Sequence, residues 1–332
     1  MTGARGGTSG SRLLVTGCAG FIASKVAEQA LDAGHEVVGI DDLNDYYDVR
    51  LKQWRLDRLR GRKGFSFHQQ DIADLEAMKG HFKAGQFDAI LNLGARAGVR
   101  YSTENPWIYQ RTNVEGTLNL LEMARRHNVP KLVLASTSSL YGSNNPLPFK
   151  EDANTDRPLS PYAASKKGAE ALCASYSHLY GIATPIPRYF TVYGPAGRPD
   201  MAPYRFIDWI SRGVTVTMYG DGTQRRDFTY VDDIARGTLA TLQKHVKGFD
   251  IYNLGGDRPI VLTEFLAMVE KAVGKKAIVK KEPRHEADME HTWADITKAR
   301  TVLKWEPTVK LEEGIRRTVD WYQKEWQAVL VG

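Results

Sequence analysis

The chain has 332 residues, which is enough for one large core with a smaller lobe or for two modest domains. Its hydrophobic content of 42% and its charged content of 25% are those of an ordinary soluble globular protein. No apolar run approaches the roughly 18 residues that a bilayer-spanning helix requires, so we expect no membrane partner.

The formal net charge of +6 raises the question of a nucleic-acid partner. The densest basic segment, residues 50–63, is predicted to be a solvated helix face with its following loop. No aromatic residues interleave with these charges as in a single-strand binding platform, and no zinc or helix-turn-helix spacing appears. We therefore expect no nucleic-acid partner, because a multiply charged small ligand already suits a mildly basic protein.

The N-terminal residues and the cysteines indicate the cellular compartment of the protein. Residues 1–11 are rich in Gly, Ser and Thr, lack the apolar stretch of a signal peptide and predict a flexible tail. Cys18 and Cys173, the two cysteines, lie far apart in sequence. They predict a cytoplasmic protein without a disulfide framework or a metal site.

Strand-length apolar runs alternate with helix-length amphipathic segments through the first 190 residues. The predicted strands span residues 13–16, 36–41, 65–70, 89–93, 131–136 and 184–189. The predicted helices span residues 21–33, 51–59, 74–83, 107–128 and 161–180. Strands that are apolar on both faces and separated by helices indicate a parallel sheet covered on both sides. Residues 12–190 are therefore predicted to form a Rossmann-type, doubly wound α/β domain.

After residue 190 the alternation ends in a long irregular segment that contains Pro195, Pro199 and Pro203. Helical pieces then recur at residues 234–243, 263–273, 296–303 and 311–325. Short strands are predicted near residues 215–218, 251–253 and 277–281. Residues 191–330 thus predict a smaller, mixed α/β substrate lobe, with some segments returning to the large domain.

A glycine-rich turn follows the first predicted strand. Gly17 lets the turn tighten, Gly20 lets the backbone approach a pyrophosphate, and Ala23 lets the helix pack closely on the sheet. Asp41 ends the next predicted strand, where a carboxylate accepts ribose hydroxyls and repels a 2′-phosphate, so NAD is favoured over NADP. Asp71, which closes the third strand, is either an adenine contact or a plain loop residue.

The motif Tyr162-Ala-Ala-Ser-Lys166 places a phenol and an ammonium group on one face of a predicted helix. Ser136 and Thr137 open a hydroxyl cluster after a parallel strand, at the edge of the sheet where α/β proteins bind ligands. A free Tyr, with a pKa near 10, is too weakly acidic to serve as a base at neutral pH. The Lys166 ammonium and a positive nicotinamide ring would stabilise its phenolate.

Together these motifs resemble the extended short-chain dehydrogenases/reductases that act on nucleotide sugars, from about residue 12 to the C-terminus. The resemblance is strongest to the UDP-glucuronate 4-epimerases, and it rests on three long segments, residues 41–48, 97–102 and 188–202. It implies NAD-dependent epimerisation of UDP-glucuronate to UDP-galacturonate through a 4-keto sugar. It also implies a homodimer, through the helices at residues 107–128 and 161–180.

The resemblance assigns roles to individual residues. Thr137, Tyr162 and Lys166 are the implied catalytic residues, with Tyr162 as the acid/base. The implied cofactor contacts are Gly17, Gly20, Phe21, Ile22, Asp41, Asn44, Asp71, Ile72, Leu93, Ala95, Asn113, Ser136, Tyr162 and Lys166. The implied substrate contacts are Gly98, Val99, Arg100, Ser138, Ser139, Thr191, Arg198, Arg226, Arg284 and Asp288. Among these, Arg198 is the candidate for the uronate carboxylate and Arg226 for the pyrophosphate.

Two positions depart from the pattern of this family. Ala23 replaces a third glycine, and Arg96 stands where uronate epimerases commonly carry Gln, which leaves the charge of the pocket undetermined.

Related activities call for different residues at the sugar. The 4,6-dehydratases carry an Asp-Glu pair where this chain has Ser138 and Ser139, and the uronate decarboxylases carry a Glu there. The alternatives that remain are a UDP-glucose/UDP-galactose 4-epimerase, a plain dehydrogenase that releases NADH, and a non-catalytic NAD-binding sensor.

Overall fold

The computed structural model of the chain describes residues 10–84, 87–243 and 245–331. Most of the predicted tail, residues 1–9, lies outside this range. Within it, no helix is long and apolar enough to cross a membrane. The described residues also contain no group of three or more His, Cys, Asp or Glu side chains that is placed to hold a metal ion.

A parallel five-stranded sheet in the order β3-β2-β1-β4-β5 forms the centre of the N-terminal half. Its strands are β1 (Arg12–Thr16), β2 (Glu36–Asp41), β3 (Phe65–Gln69), β4 (Ala89–Asn92) and β5 (Leu132–Leu134). The helices that connect them are α1 (Phe21–Asp32), α2 (Val49–Asp57), α3 (Leu75–Ala84), α4 (Tyr101–Glu104), α5 (Pro106–Tyr109) and α6 (Gly116–Arg126). β1 is buried except at its first residue, as a central strand covered on both faces requires.

The sheet continues past β5 through a second set of parallel strands. This set consists of β6 (Ser136–Thr137), β7 (Thr184–Tyr189) and β11 (Phe249–Leu254), with β7 in the middle. The long helix α7 (Pro161–Tyr180) connects β6 to β7. Because β11 pairs with β7 along six residues, a segment from the C-terminal third packs beside the N-terminal strands.

Most of the remaining C-terminal elements form a smaller α/β layer with its own apolar core around Phe265, Trp321 and Trp326. Its strands are β8 (Thr191–Tyr193), β9 (Val216–Tyr219), β10 (Arg225–Tyr230), β12 (Pro259–Val261) and β13 (Val279–Glu282). Its helices are α8 (Ala202–Arg212), α10 (Leu262–Val273), α11 (Leu311–Trp321) and α12 (Gln327–Val331), whereas α9 (Val231–Ala240) packs against α1 of the N-terminal half. The predicted doubly wound α/β class with a smaller mixed portion is confirmed.

One sequence prediction about local structure is wrong. The segment after residue 190 is not irregular throughout, since it contains β8 and α8. The helix predicted at residues 107–128 is confirmed, with a π-helical turn, Gln110–Glu115, between α5 and α6. The helix predicted at residues 296–303 is confirmed over residues 297–303, and most of it is the π-helical stretch Ala299–Leu303.

Candidate active site

The glycine-rich turn between β1 and α1 lies at the carboxyl edge of the parallel sheet. Gly17 has a φ of 68°, and a Cβ atom there would lie 2.7 Å from Gly94 Cα, so a side chain has no room. Gly20 is the N-cap of α1, and no side chain caps this helix. Its first turn contains no acidic residue. The helix N-terminus therefore suits an external anion, as a dinucleotide pyrophosphate would be.

Asp41 ends β2 beside this turn and is almost fully buried. Its carboxylate accepts the backbone N–H of Ala19 at 3.1 Å and that of Leu43 at 2.9 Å. Burial raises the pKa of Asp41, while the Lys52 ammonium, 3.9 Å away, acts to lower it. The carboxylate is thus held in place at the end of the strand.

A cleft runs from the glycine-rich turn to α7. Of the fourteen predicted cofactor residues, those that line it are Gly17, Gly20, Phe21, Ile22, Asp41, Asn44, Asp71, Ile72, Leu93, Ala95, Ser136, Tyr162 and Lys166. Asn113 does not line the cleft. It is buried behind the wall, where its side chain exchanges hydrogen bonds with the backbone of Arg96 and donates to Ser165 Oγ.

Tyr162 and Lys166 lie one turn apart on α7, and Thr137 ends β6 opposite them. Burial raises the pKa of Tyr162, and a hydrogen bond with the Thr137 hydroxyl acts to lower it. Burial lowers the pKa of Lys166 to about 8, against the opposing effect of the Glu170 carboxylate. The three predicted catalytic side chains therefore meet at one end of the cleft.

Glu170 is a supporting residue that the sequence analysis missed. Its carboxylate accepts the Ser136 hydroxyl at 2.5 Å and is paired with Arg188 at 3.0 and 2.8 Å. Both members of this ion pair are buried. The helical spacing could have indicated it, because Glu170 follows Lys166 by four residues and so lies on the same face of α7.

A second cavity adjoins the cleft on the side of the C-terminal elements. The predicted substrate residues that line both spaces are Gly98, Val99, Ser138, Ser139 and Thr191. Arg198 lines only the cleft, while Arg100, Arg226, Arg284 and Asp288 line only the second cavity. The two spaces therefore meet at the hydroxyl cluster beside Tyr162.

The predicted substrate-binding arginines have partners within the protein. Arg198 donates its Nε and Nη2 to the carboxylate of Asp200, with an Nε–Oδ1 distance of 3.0 Å. Arg100 Nη2 lies 2.6 Å from Asp288, and Arg284 pairs with Glu290 at 3.2 Å.

Arg226 donates to backbone carbonyls, those of residues 225, 289 and 290. The sequence did not indicate any of these partners.

The prediction that residues 50–63 form a solvated basic face is wrong for the inner side of α2. Lys52 lines the cleft, and both Lys52 and Arg55 are buried. Arg55 donates to the carbonyls of Ala19 and Ala196, at 3.0 and 2.7 Å. It thereby connects α2 to the glycine-rich turn and to the segment after β8.

Sequence and structural comparisons agree on one group of proteins. A family model described as GDP-mannose 4,6 dehydratase matches residues 14–318. The chain is 52% identical over 317 residues to a UDP-glucuronate 4-epimerase of Thermodesulfobacterium geofontis, covering 95% of this chain and 97% of the relative. It is 40% identical over 335 residues to a probable UDP-glucuronate 4-epimerase of Rhizobium meliloti, covering 95% and 98%.

Solved structures support the same grouping. The UDP-glucuronic acid 4-epimerase of Bacillus cereus, in complex with UDP-glucuronic acid and NAD, superposes with a TM-score of 0.89 at 36% identity. The alignment covers 95% of this chain and 100% of that one. The UDP-glucose 4-epimerase of Thermotoga maritima, with UDP-glucose, has a TM-score of 0.87 at 31% identity, covering 94% and 99%. The chain therefore belongs to the GDP-mannose 4,6-dehydratase family of extended short-chain dehydrogenases/reductases.

Proposed function

We propose that this chain is an NAD-dependent UDP-glucuronate 4-epimerase that interconverts UDP-glucuronate and UDP-galacturonate. The observation that carries the proposal is the position of Tyr162, Thr137 and Lys166 at the end of the cleft that adjoins a second, arginine-lined cavity. The choice of uronate is supported by the relatives, since the one that is 52% identical is a UDP-glucuronate 4-epimerase.

The residues of the cleft fit NAD. The Gly17–Gly20 turn and the uncapped N-terminus of α1 suit the pyrophosphate, and the Asp41 carboxylate suits the adenosine ribose hydroxyls. Lys166 would hold the nicotinamide ribose at the other end. When bound, NAD supplies the hydride acceptor and donor that convert the sugar C4 alcohol to a ketone and back. Because the cofactor is regenerated in each turnover, no external oxidant is required.

Tyr162 is the proposed acid/base. Its phenolate takes the proton of the C4 hydroxyl during oxidation and returns it during reduction. The Thr137 hydroxyl favours the phenolate by a hydrogen bond, and the Arg198 guanidinium favours it by its charge. The Lys166 ammonium, one helical turn away, is proposed to act in the same direction. Epimerisation then requires the 4-keto sugar to turn over in the site, so that reduction occurs on its other face.

The sugar end of the site must also prevent decarboxylation of the 4-keto intermediate. A 4-keto uronate is a β-keto acid, which loses CO₂ when the bond from the ring to its carboxylate aligns with the π orbital of the carbonyl. We assign Arg198 to hold the carboxylate. Its Nε–Nη2 edge is taken by Asp200, so the edge that includes Nη1 is the one left for a substrate carboxylate. Asp200 thus fixes the plane of the guanidinium.

Ser138 and Ser139 separate this proposal from the dehydratase activity in the description of the family model. Elimination of water or controlled decarboxylation calls for a carboxyl group at these positions, and two hydroxyls cannot replace it. Both serines line the junction of the cleft and the second cavity, next to Thr137. They and Thr191 are proposed to contact the hexuronate.

The second cavity is the proposed UDP site. Four arginines line it: Arg100, Arg205, Arg226 and Arg284. Arg226 is proposed to meet the pyrophosphate, and Arg284 and Asp288 to meet the uridine or its ribose. The Arg100–Asp288 pair spans from the loop before α4 to the segment after β13, so a ligand bound here touches both parts of the chain.

We propose the division into an NAD-binding domain at residues 12–190 and a mainly UDP-sugar lobe at residues 191–330, preceded by a tail at residues 1–11.

Cys18 and Cys173 are buried free thiols, which supports a cytoplasmic location.

A homodimer is proposed through α5, α6 and α7. Trp107 is 80% exposed, and Leu118, Leu179 and Tyr180 on α6 and α7 also expose large apolar side chains. A second copy would cover this surface. Trp107→Glu should convert a dimer to a monomer in analytical ultracentrifugation, because a carboxylate cannot be buried there unpaired. A wild-type monomer, or a variant that remains dimeric, would contradict this interface.

The test of the function is proton NMR of the purified protein with UDP-glucuronate and no added NAD, with Tyr162→Phe as the inactive control. Growth of UDP-galacturonate signals to a fixed ratio, without a pentose product, is expected. Formation of UDP-xylose would show that the inference from Ser138 and Ser139 is wrong. Turnover of UDP-glucose alone would identify a UDP-glucose 4-epimerase, and no turnover with NAD bound would identify a sensor.

A further inference from the structure

Lys52 is a buried lysine on α2 whose ammonium group donates no hydrogen bond to any residue that the structure describes. The residue is 3% exposed. Its Nζ atom lies 3.9 Å from Oδ1 of Asp41, which is an ion pair but too long for a hydrogen bond. An ammonium carries three donors, and leaving the donors of a buried charged group unpaired is costly. Lys52 therefore lacks the acceptors that a buried ammonium normally has.

The ammonium group is open to the cleft rather than covered by protein. Nζ of Lys52 is not among the described buried atoms that lack both a hydrogen-bond partner and contact with solvent. Because Lys52 lines the cleft, a ligand in the cleft can reach Nζ without displacing protein atoms. Burial lowers the pKa of Lys52, while the carboxylates of Asp41 and Asp42 act to raise it and so favour the charged form.

Several contacts hold Lys52 and Asp41 beside the glycine-rich turn. Arg55, about one helical turn further along α2, donates to the carbonyl of Ala19 at 3.0 Å. The N–H of Ala19 donates to Oδ2 of Asp41 at 3.1 Å. The ring of Tyr47 lies beside the ammonium, with its centroid 5.3 Å from Nζ. The helix that carries Lys52 and the carboxylate of Asp41 are therefore attached to the same turn.

The spacing between these two groups suits a hydroxyl. Each oxygen of the Asp41 carboxylate accepts one backbone N–H, from Ala19 or Leu43, and keeps a further lone pair. A hydroxyl group can donate its proton to a carboxylate and accept one from an ammonium at the same time. An oxygen about 2.8 Å from each partner fits between two atoms that are 3.9 Å apart.

We propose that Lys52 donates a hydrogen bond to a hydroxyl of the adenosine ribose of NAD, which itself donates to Asp41. This inference rests on the proposed NAD site, where Asp41 meets the ribose hydroxyls. Lys52 and Asp41 then recognise the ribose as a donor–acceptor pair, and the ligand supplies the acceptor that the protein does not.

The competing ligand for this position is the 2′-phosphate of NADP, because an ammonium also attracts a phosphate. Phosphate oxygens and the oxygens of an ionised carboxylate are acceptors, so no proton would lie between them. A phosphate bound to Lys52 would face the Asp41 carboxylate, 3.9 Å from Nζ, and the two negative charges would repel each other. The neutral ribose hydroxyl fits both neighbours.

The test compares wild type, Lys52→Met and a matched control, Lys131→Met. Burial lowers the pKa of Lys131 as it does that of Lys52, but Lys131 does not line the cleft. Each full-length protein is loaded with radiolabelled NAD. The label is then displaced by ADP-ribose, by its analogues that lack the 2′- or the 3′-hydroxyl of the adenosine ribose, or by 2′-phospho-ADP-ribose.

Lys52→Met should weaken binding of ADP-ribose by about 10- to 150-fold, as loss of a charged hydrogen bond predicts. It should weaken binding of one deoxy analogue far less, because that analogue lacks the contacted hydroxyl. Lys131→Met should match wild type for every ligand. Equal weakening of ADP-ribose and both deoxy analogues, or no weakening, would overturn the contact. Greater weakening of 2′-phospho-ADP-ribose than of ADP-ribose would assign Lys52 to a phosphate instead.

The same comparison in an Asp41→Asn background separates a direct contact from an effect through Asp41. The amide still bonds a hydroxyl but carries no charge for Lys52 to balance. Lys52→Met should again weaken ADP-ribose more than the deoxy analogue, and loss of this difference would overturn the direct contact. NAD binding by wild type would leave the proposed function intact in that case, whereas failure of wild type to bind NAD would overturn both.

Discussion

Glu170→Gln tests the role of the buried negative charge next to the proposed catalytic residues. The carboxylate of Glu170 is buried between two cations, Arg188 at 2.8 Å and the Lys166 ammonium, whose pKa it acts to raise. It also accepts the hydroxyl of Ser136. Glutamine keeps the size and one acceptor oxygen but removes the charge, so both cations lose their buried counter-ion.

The expected cost to the folded state is large. Removing one partner of a buried ion pair leaves an uncompensated charge, which costs about 3–5 kcal/mol. Arg188 is 1% exposed and Glu170 is 3% exposed, so water cannot replace the carboxylate without a rearrangement. Replacing both residues, as in Glu170→Met with Arg188→Met, removes the pair together and should cost less than Glu170→Gln alone.

Urea unfolding followed by circular dichroism measures this difference as a lower midpoint with an unchanged slope. Arg125→Gln is a suitable control, because it breaks an exposed pair with Glu122 on α6 that should contribute less than about 1 kcal/mol. If Glu170→Gln unfolds within about 1 kcal/mol of wild type, the reasoning from burial is refuted.

The same substitution has a signature in catalysis. Burial already lowers the pKa of Lys166 to about 8, and Glu170 limits that shift. Without the carboxylate the pKa of Lys166 falls further, so the ammonium is lost at a lower pH. The alkaline decline of kcat/KM should therefore begin at a lower pH than in wild type. A purely structural role of Glu170 would reduce activity without moving this limb of the profile.

Two further substitutions test the proposed roles at the sugar. Tyr162→Phe should lower turnover of UDP-glucuronate by about 10²- to 10⁴-fold, the usual contribution of a general acid/base, while the purified protein retains NAD. Turnover is measured by NMR, and retained NAD by the amount released on denaturation. Substantial activity of the variant would contradict the assignment. Arg198→Ala should reduce kcat/KM for UDP-glucuronate but leave the affinity for UDP unchanged in calorimetry; equal losses would remove its role at the carboxylate.

The elements that the sequence predicted best carry their start and stop signals locally. The helix predicted at residues 161–180 has the same bounds in the structure. Ser160 caps its first turn by accepting the N–H of Ala163, Pro161 occupies the first helical position, and Gly181 ends it in a left-handed conformation. All three signals lie within the helix or directly beside it, so the local sequence is sufficient to predict its bounds.

Helix α8 shows how one local signal misleads. Pro203 contributed to the expectation of an irregular segment, yet it lies in the first turn of α8, where a proline costs no hydrogen bond. The apolar side chains of Phe206, Ile207 and Ile210 form a buried face, and Gly213 ends the helix. A proline breaks a helix when it lies in the helix interior but not when it lies in the first turn. Its position relative to the periodic apolar residues distinguishes these two cases.

Short motifs encode the site residues that the sequence identified, and all of them except Asn113 line the cleft or the second cavity. The residues that it missed act through partners distant in the chain. Glu170 is paired with Arg188, and Arg55 donates to the carbonyl of Ala196. A charged residue in a helix pattern is read as exposed unless its partner is known, and the partner is known only once the strands are ordered. The sheet order shows this for Arg96, because it brings Asp42 and Arg96, 54 positions apart in the chain, to either side of β1, where they pair.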